Sequence, residues 1–227
     1  MTPETPRIWL TLRCSMRCWF CSTRVFDFVG NWPQADELDA VQWHKRIAEL
    51  PGRDVVLTGG EPSLHRDFLA IVGGSPKPMY VYSNFARDGV LDKVPPGLRI
   101  HWRASFHGTT ENDLGAWCDR ITAMHDKGYR VTATTVYPPE GLVKAIEEHG
   151  IVIDKPQSPL PPKAGRIACT LPRVLIAPNG ERYHCVTRLA RRDPGGIVRH
   201  DRPDDTATCD AATGCLACDF TASRGHE

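Results

Sequence analysis

The chain has 227 residues, of which 41% are hydrophobic and 24% charged, and its formal net charge is +1. That length suits one large domain, or a large domain with a small appendage. The near-neutral charge gives no bulk attraction to nucleic acid or to an anionic membrane. The sequence has no apolar run of about eighteen residues and no apolar stretch typical of a signal peptide at its start. We therefore expect a cytoplasmic protein without a membrane or nucleic-acid partner.

Up to residue 158, short β-type runs alternate with amphipathic helical stretches, which predicts βα units around a parallel sheet. Apolar residues recur at helical spacing between Ala40 and Leu50, and Pro51-Gly52 ends that helix. Gly128 and Gly150 lie where helix C-caps belong. The predicted strands are Arg7–Leu12, Asp54–Thr58, Met79–Ser83, Arg99–Phe106, Tyr129–Val136 and Ile151–Asp154. The later predicted helices are Arg66–Val72, Arg87–Lys93, Glu111–Lys127 and Glu140–His149.

Six such repeats are too few to close an eight-fold barrel, so the predicted fold is α/β, a partial (βα)6 TIM-like barrel. Four prolines crowd residues 156–162, which is typical of a linker. We therefore predict a barrel domain at residues 1–158 and a small cysteine-rich C-terminal extension at residues 159–227. In the extension, Arg173–Ala177 and Arg182–Cys185 flank an Asn-Gly turn, which predicts a β-hairpin.

Nine cysteines need an explanation, because cytosolic thiols are kept reduced and clustered ones are more often metal ligands than disulfides. Cys14, Cys18 and Cys21 follow the first predicted strand in one short loop. A 4Fe–4S cubane normally takes four thiolates, so three would leave one iron open to another molecule. A structural zinc site would need a distant fourth ligand. Cys118 stands alone, and we interpret it as a small buried residue on a helix.

A glycine-rich segment, Gly59-Gly60-Glu61-Pro62, follows the second predicted strand. Reactive groups of parallel α/β folds collect at the carboxyl ends of the strands, where both this segment and the cysteine loop lie. Paired glycines allow the backbone to approach a ligand closely. The two segments are therefore expected to meet at one edge of the sheet.

Together these segments resemble the radical S-adenosylmethionine (SAM) superfamily, including the aromatic Phe20 before the last cysteine of the loop. The resemblance implies that Cys14, Cys18 and Cys21 hold a 4Fe–4S cluster whose free iron chelates SAM. It also implies that Phe20 and the segment Gly59, Gly60, Glu61 and Pro62 bind the cofactor, and that a flavodoxin- or ferredoxin-type protein donates the electron. Reductive cleavage of SAM would yield a 5′-deoxyadenosyl radical that abstracts a substrate hydrogen.

Three further polar residues occupy positions where relatives contact the cofactor. Ser83 and Asn84 end the third predicted strand, and Ser105 lies near the end of the fourth. The resemblance implies that Ser83 and Asn84 lie near SAM and that Ser105 lies near its ribose. Ordinary turn chemistry is the alternative for each.

The C-terminal cysteines give a second signal. Cys169 and Cys185 lie near the two ends of the predicted hairpin, and Cys215 and Cys218 form a later turn, so four thiolates can surround one cluster. A structural zinc site is the alternative. The arrangement resembles the twitch extension, a shortened SPASM domain, which implies that these four cysteines hold an auxiliary 4Fe–4S cluster. Cys209 either replaces Cys215 or is spare.

By resemblance, we expect a radical SAM oxidoreductase that oxidises a small polar substrate and passes the electron to the auxiliary cluster. Strand alternation places Arg103 on the same side as Ser105, and the candidate catalytic residues are Arg103, Lys155 and His107. The alternative is radical modification of a peptide or protein side chain. Because the first strand begins at about Arg7, we expect no leader-binding domain before the barrel, which argues against the peptide alternative.

Overall fold

The computed structural model describes residues 5–18, 21, 31–86, 89–107, 113–135, 138–154, 165–169, 175–183, 186–194, 197 and 207–211. Strands and helices alternate along the first two thirds of the chain. The strands are β1 (Arg7–Thr11), β2 (Val55–Gly59), β3 (Met79–Ser83), β4 (Ile100–Phe106), β5 (Arg130–Thr135), β6 (Gly165–Cys169), β7 (Leu175–Ile176), β8 (Arg182–Tyr183) and β9 (Ala207–Ala211). The helices are α1 (Ala40–Glu49), α2 (Phe68–Gly73), α3 (Leu114–Asp126), α4 (Leu142–Glu148) and α5 (Val186–Arg191).

The main sheet has seven strands in the order β5-β4-β3-β2-β1-β7-β8 and does not close on itself. Strands β1 to β5 are parallel, which confirms the predicted α/β partial barrel. The predicted sixth strand, Ile151–Asp154, is wrong as a strand, since it contributes only one parallel bridge from Ile153 to Ala133. The side chain of Val152 is 71% exposed, so this stretch lacks the burial of a central barrel strand.

The two faces of the sheet differ because side chains alternate along each strand. On one face, apolar side chains such as Leu57, Val81 and Trp102 are fully buried, and the helices cover them. On the other face, β3 and β4 expose every second side chain in part. That partly exposed face carries Arg7, Tyr80, Tyr82, His101, Arg103 and Ser105.

The helix boundaries follow local signals in the sequence. Helix α1 begins with a capping box in which Asp39 and Gln42 bond each other's backbone, and it ends before Pro51. Gly128 and Gly150 have φ angles of 83° and 73°, as a left-handed C-terminal cap requires. Of the predicted helix Arg87–Lys93, the described part is only a 3-10 turn at Leu91–Lys93. Two prolines follow closely, and a proline disfavours helix at the residue before it.

The predicted Asn-Gly hairpin is confirmed, with β7 antiparallel to β8 and Gly180 at φ 80°. The hairpin belongs to the main sheet, because its strand β7 pairs with β1 in parallel. Helix α5 and Trp32 pack over this hairpin in a second core around Tyr183. Strands β6 and β9 form a separate antiparallel pair, and the proposed boundary between residues 158 and 159 stays a prediction.

Among the helices of the described residues, none is both long and apolar enough to span a bilayer.

Candidate functional site

The cysteine loop begins three residues after β1, at the carboxyl edge of the sheet. Cys14 and Cys21 are half-buried, Cys18 is buried, and all three are free thiols. The backbone N–H of Cys21 donates to the carbonyl of Cys18 at 3.1 Å, and that of Met16 donates to Cys14 Sγ at 3.4 Å. Within the described residues, no three or more His, Cys, Asp or Glu side chains are already spaced to hold a metal ion. Convergence of the three sulfurs on one cluster therefore stays a prediction.

The electrostatic surroundings of Cys14 favour its neutral form in the absence of metal. The pKa of Cys14 is raised to about 11, mainly by burial and with smaller contributions from the nearby charges of Glu61 and Cys21. Donors from Met16 and Asn84 act in the opposite direction. Since a thiolate is the metal ligand, cluster binding at Cys14 must release a proton.

The glycine segment is hydrogen-bonded to the end of β1 and to the start of the cysteine loop. The N–H of Gly60 donates to the carbonyl of Thr11, and that of Glu61 donates to the carbonyl of Arg13, both at 2.8 Å. A Cβ atom at Gly60 would lie 2.2 Å from the Arg13 carbonyl oxygen, which is far inside contact distance. Gly59 has φ 143°, a conformation that side chains rarely adopt. Both glycines are therefore needed so that β2 can approach the backbone of β1.

Glu61 joins the carboxyl ends of β2 and β3 from a buried position, where it is 1% exposed. Its Oε1 accepts from the Ser63 N–H at 3.1 Å and from Ser83 Oγ at 2.9 Å. Its Oε2 accepts from the Asn84 N–H at 2.7 Å. Burial raises the pKa of Glu61, and the donors from Asn84, Ser63 and Ser83 oppose that rise. Pro62 and Ser63 begin a buried 3-10 turn directly after this carboxylate.

Asn84 connects this carboxylate to the cysteine loop. Its Oδ1 accepts from the Ala86 N–H at 2.9 Å, and its Nδ2 lies 3.7 Å from Cys14 Sγ and 3.4 Å from Ser15 Oγ. The structure thus brings together Cys14, Glu61 and Asn84, three residues that the sequence assigned to one site from three separate segments.

A buried ion cluster beside the loop was missed by the sequence reasoning. Glu37 is 3% exposed, and its Oε2 lies 3.1 Å from Arg13 Nη2 and 3.8 Å from His65 Nε2. The Arg66 guanidinium donates to the Glu37 carbonyl at 3.2 Å. Arg13, Glu37 and the pair His65-Arg66 lie in three separate segments and share no motif, so no sequence signal could have found the cluster. It fixes Arg13, the residue directly before Cys14.

A polar cavity of about 350 Å³ opens on the partly exposed face of the sheet. It runs from the amino ends of β1 and β2 to the middle of β4, away from the cysteine loop. Arg103 in this cavity forms an ion pair with Asp154, so a carboxylate already engages its guanidinium. The cavity is lined by Thr5, Arg7, Asp54, Val56, Tyr80, Tyr82 and Arg103.

Two histidines lie on or directly after β4. His101 Nε2 lies 2.9 Å from Thr132 Oγ1, and burial together with Arg103 and Arg130 lowers the pKa of His101 to about 4. Burial lowers the pKa of His107 to about 4 as well, so both rings are neutral at pH 7. Ser105, which lies between these histidines in the sequence, is half-buried and lies opposite Thr134 of β5 in the strand register.

The remaining predicted site residues have no described side chains. Cys169 is described only as the last residue of β6. Phe20, Lys155, Cys185, Cys215 and Cys218 lie outside the described residues. Cys118 is confirmed as a buried helical residue, since it lies in α3 and is 1% exposed.

The chemistry of the described site fits an iron–sulfur cluster with SAM. Three free thiols lie in one loop at the carboxyl edge of a parallel sheet, as an open 4Fe–4S site needs. Glu61 and Asn84 fix the surrounding backbone, and paired glycines leave no side chain between the two strand ends.

Comparison with known proteins agrees with this fit. Residues 9–74 match the family model described as the Radical SAM superfamily, and that range contains the cysteine loop and the glycine segment. Over that range the chain is similar to the radical SAM superfamily. A relative from Methanopyrus kandleri named "Probable GTP 3',8-cyclase" is 39% identical over 149 residues, or 62% of this chain. The matched part is 41% of that relative, so the chain spans less than half its length.

Two solved structures share the fold. The structure of anSMEcpe with bound AdoMet aligns with 95% of this chain and 82% of its own, at a TM-score of 0.55 and 9% identity. Streptococcus suis SuiB bound to the precursor peptide SuiA aligns with 66% of this chain and 38% of its own, at a TM-score of 0.53 and 14% identity. At these identities the likeness supports the fold alone, an unclosed α/β barrel.

Proposed function

We propose that the chain is an enzyme that cleaves SAM reductively, with a 4Fe–4S cluster held by Cys14, Cys18 and Cys21. The observation that carries the proposal is the link from Glu61 through Asn84 to Cys14, which unites both family motifs in one buried network. When bound, the cluster and SAM supply a 5′-deoxyadenosyl radical that takes a hydrogen atom from the substrate.

The residues around the loop have a positioning role in this proposal. Glu61 and the backbone of Gly60 hold the ends of β1, β2 and β3 at fixed separations. Phe20, Pro62 and Ser83 complete the cofactor surroundings by resemblance. Ser105, which faces the same side as Arg103, is assigned to the ribose of SAM.

We further propose that the substrate is a small polar or anionic molecule bound on the polar face of the sheet. Tyr82 and Arg103 pair in register toward the carboxyl ends of β3 and β4, so they supply a hydroxyl and a cationic donor on the part of this face nearer the cysteine loop. Arg7 and Tyr80 extend the polar face away from that loop. The named activity of the Methanopyrus kandleri relative concerns a nucleotide, which falls within this class.

The second half of the reaction is proposed to be an oxidation. The substrate radical would lose one proton and one electron, and the auxiliary cluster of Cys169, Cys185, Cys215 and Cys218 would accept the electron. His107 suits the role of base better than Arg103, because its ring is neutral at pH 7 while the guanidinium is paired with Asp154. Lys155 directly follows Asp154 and remains a candidate for the same role.

Peptide modification is the alternative, and two observations favour it. SuiB was solved with a precursor peptide, and anSMEcpe was solved with AdoMet and a peptide.

Iron, sulfide and zinc content per chain after anaerobic reconstitution tests the cluster assignments. We expect about eight irons in the native chain, about four in Cys18→Ala and about four in Cys218→Ala. Cys118→Ala is the matched control and should keep all the iron, because Cys118 lies in the helical core. About four irons with one zinc in the native chain would make the tail structural and remove the electron acceptor.

A further inference from the structure

We propose that Asn84 is a positioning residue that sets the reduction potential of the cluster through a hydrogen bond from its side-chain amide to Cys14 Sγ. The inference rests on the proposed function, since it requires a cluster on Cys14. It assigns to Asn84 a role toward the cysteine sulfur that is distinct from a contact with SAM.

The orientation of the Asn84 amide is determined by its neighbours. The Ala86 backbone N–H lies 2.9 Å from Oδ1, and a backbone N–H can only donate, so that atom must be the oxygen. The amide nitrogen then faces Cys14 Sγ at 3.7 Å and Ser15 Oγ at 3.4 Å. Its N–H groups therefore point toward the cysteine loop.

The amide is also held rigidly. The Asn84 backbone N–H donates to Glu61 Oε2 at 2.7 Å, and the other oxygen of that carboxylate is held by Ser63 and Ser83. Asn84 is 6% exposed, so little water competes for its donor. A preorganised donor in a buried site keeps its dipole aimed at the sulfur in both oxidation states.

The consequence for the cluster is electrostatic. Reduction adds one negative charge, and an N–H group aimed at a ligand sulfur stabilises that charge and raises the potential. The carboxylate of Glu61 acts in the opposite direction, since its charge disfavours a Cys14 thiolate. Asn84 hydrogen-bonds to both Glu61 and Cys14. Its side-chain amide therefore offsets, at Cys14 Sγ, the effect of the negative charge of Glu61.

The test is an EPR-monitored redox titration of the reconstituted chain without SAM, using dithionite and mediator dyes. The signal followed is the one that Cys18→Ala lacks, so that it belongs to the cluster of Cys14, Cys18 and Cys21. In Asn84→Asp, one oxygen still accepts from Ala86 while the donor to Cys14 is replaced by an acceptor. In Asn84→Leu, the donor is lost without a new charge. Both variants should show a more negative midpoint potential than the native chain, with Asn84→Asp the more negative of the two.

Asn179→Leu is the matched control. Asn179 also accepts from the backbone N–H two residues later, at 3.1 Å from Glu181, but it lies in the β7–β8 turn. The midpoint potential of Asn179→Leu should equal that of the native chain.

Equal potentials in the native chain and Asn84→Asp, both with full iron content, would overturn the inference and leave the proposed function standing. Loss of iron from both Asn84 variants, with the control fully loaded, would also overturn it, because Asn84 would then hold the cluster instead of tuning it. A native chain without any cluster signal would refute the proposed function itself.

Discussion

Replacing Gly60 by alanine is the sharpest test of how the two motifs are joined. The added Cβ would lie 2.2 Å from the Arg13 carbonyl oxygen and 2.6 Å from that of Leu12, so the backbones of β1 and β2 must separate. The separation breaks or stretches the hydrogen bonds from Gly60 to Thr11 and from Glu61 to Arg13. Each is worth about 1 kcal/mol, and the overpacking adds about 1–3 kcal/mol. We expect a loss of about 3–5 kcal/mol in the free energy of unfolding.

Urea unfolding followed by tryptophan fluorescence measures this loss. Gly73→Ala is the matched control, because a Cβ at Gly73 meets no atom within 4 Å and that glycine ends helix α2. Alanine there should be neutral or stabilise by up to about 1 kcal/mol. If Gly60→Ala were as stable as Gly73→Ala, the close approach of β2 to the loop would not exist in solution.

Two further predictions concern the second core and the histidines. Trp32→Ala should lower the free energy of unfolding by about 3–5 kcal/mol, because Trp32 is 3% exposed and its Nε1 donates to the Leu189 carbonyl at 2.8 Å. Trp32→Phe should recover part of that loss in the same urea assay. An unchanged urea midpoint in Trp32→Ala would contradict the packing. The pKa values of His101 and His107 are lowered from the ordinary 6.5 to about 4 in the folded chain. As pH falls, the unfolded chain therefore binds protons at these histidines before the folded chain does. The contribution of the two neutral rings to stability is lost between about pH 6.5 and pH 4. NMR titration of both imidazoles should give midpoints near 4, and midpoints near 6.5 would show that the rings are not desolvated.

The parallel sheet was predictable because its strands carry strong local patterns. The predicted strand Met79–Ser83 matches β3 at both ends, and the helix from Ala40 was marked by its apolar spacing and by Pro51. The Asn-Gly turn predicted the β7–β8 hairpin for the same reason, since the turn itself requires those residues.

Long-range pairing was not predictable from local patterns. Nothing near Leu175 indicates that β7 pairs with β1, because that choice depends on which sheet edge is left open. The glycines illustrate the same limit. Their motif predicted a close backbone approach, but the neighbour within reach is the carbonyl of Arg13, in the loop that follows β1. The ion pair of Arg103 with Asp154 likewise depends on tertiary geometry.

The central claim is that the loop of Cys14, Cys18 and Cys21 supports reductive cleavage of SAM. The most direct measurement is 5′-deoxyadenosine formed per chain after anaerobic reconstitution, with dithionite and SAM added. The native chain should form 5′-deoxyadenosine, and Cys18→Ala should form none, while Cys118→Ala should match the native chain. A native chain that carries a full cluster and forms none, or a Cys18→Ala variant that forms as much as the native chain, would contradict the account.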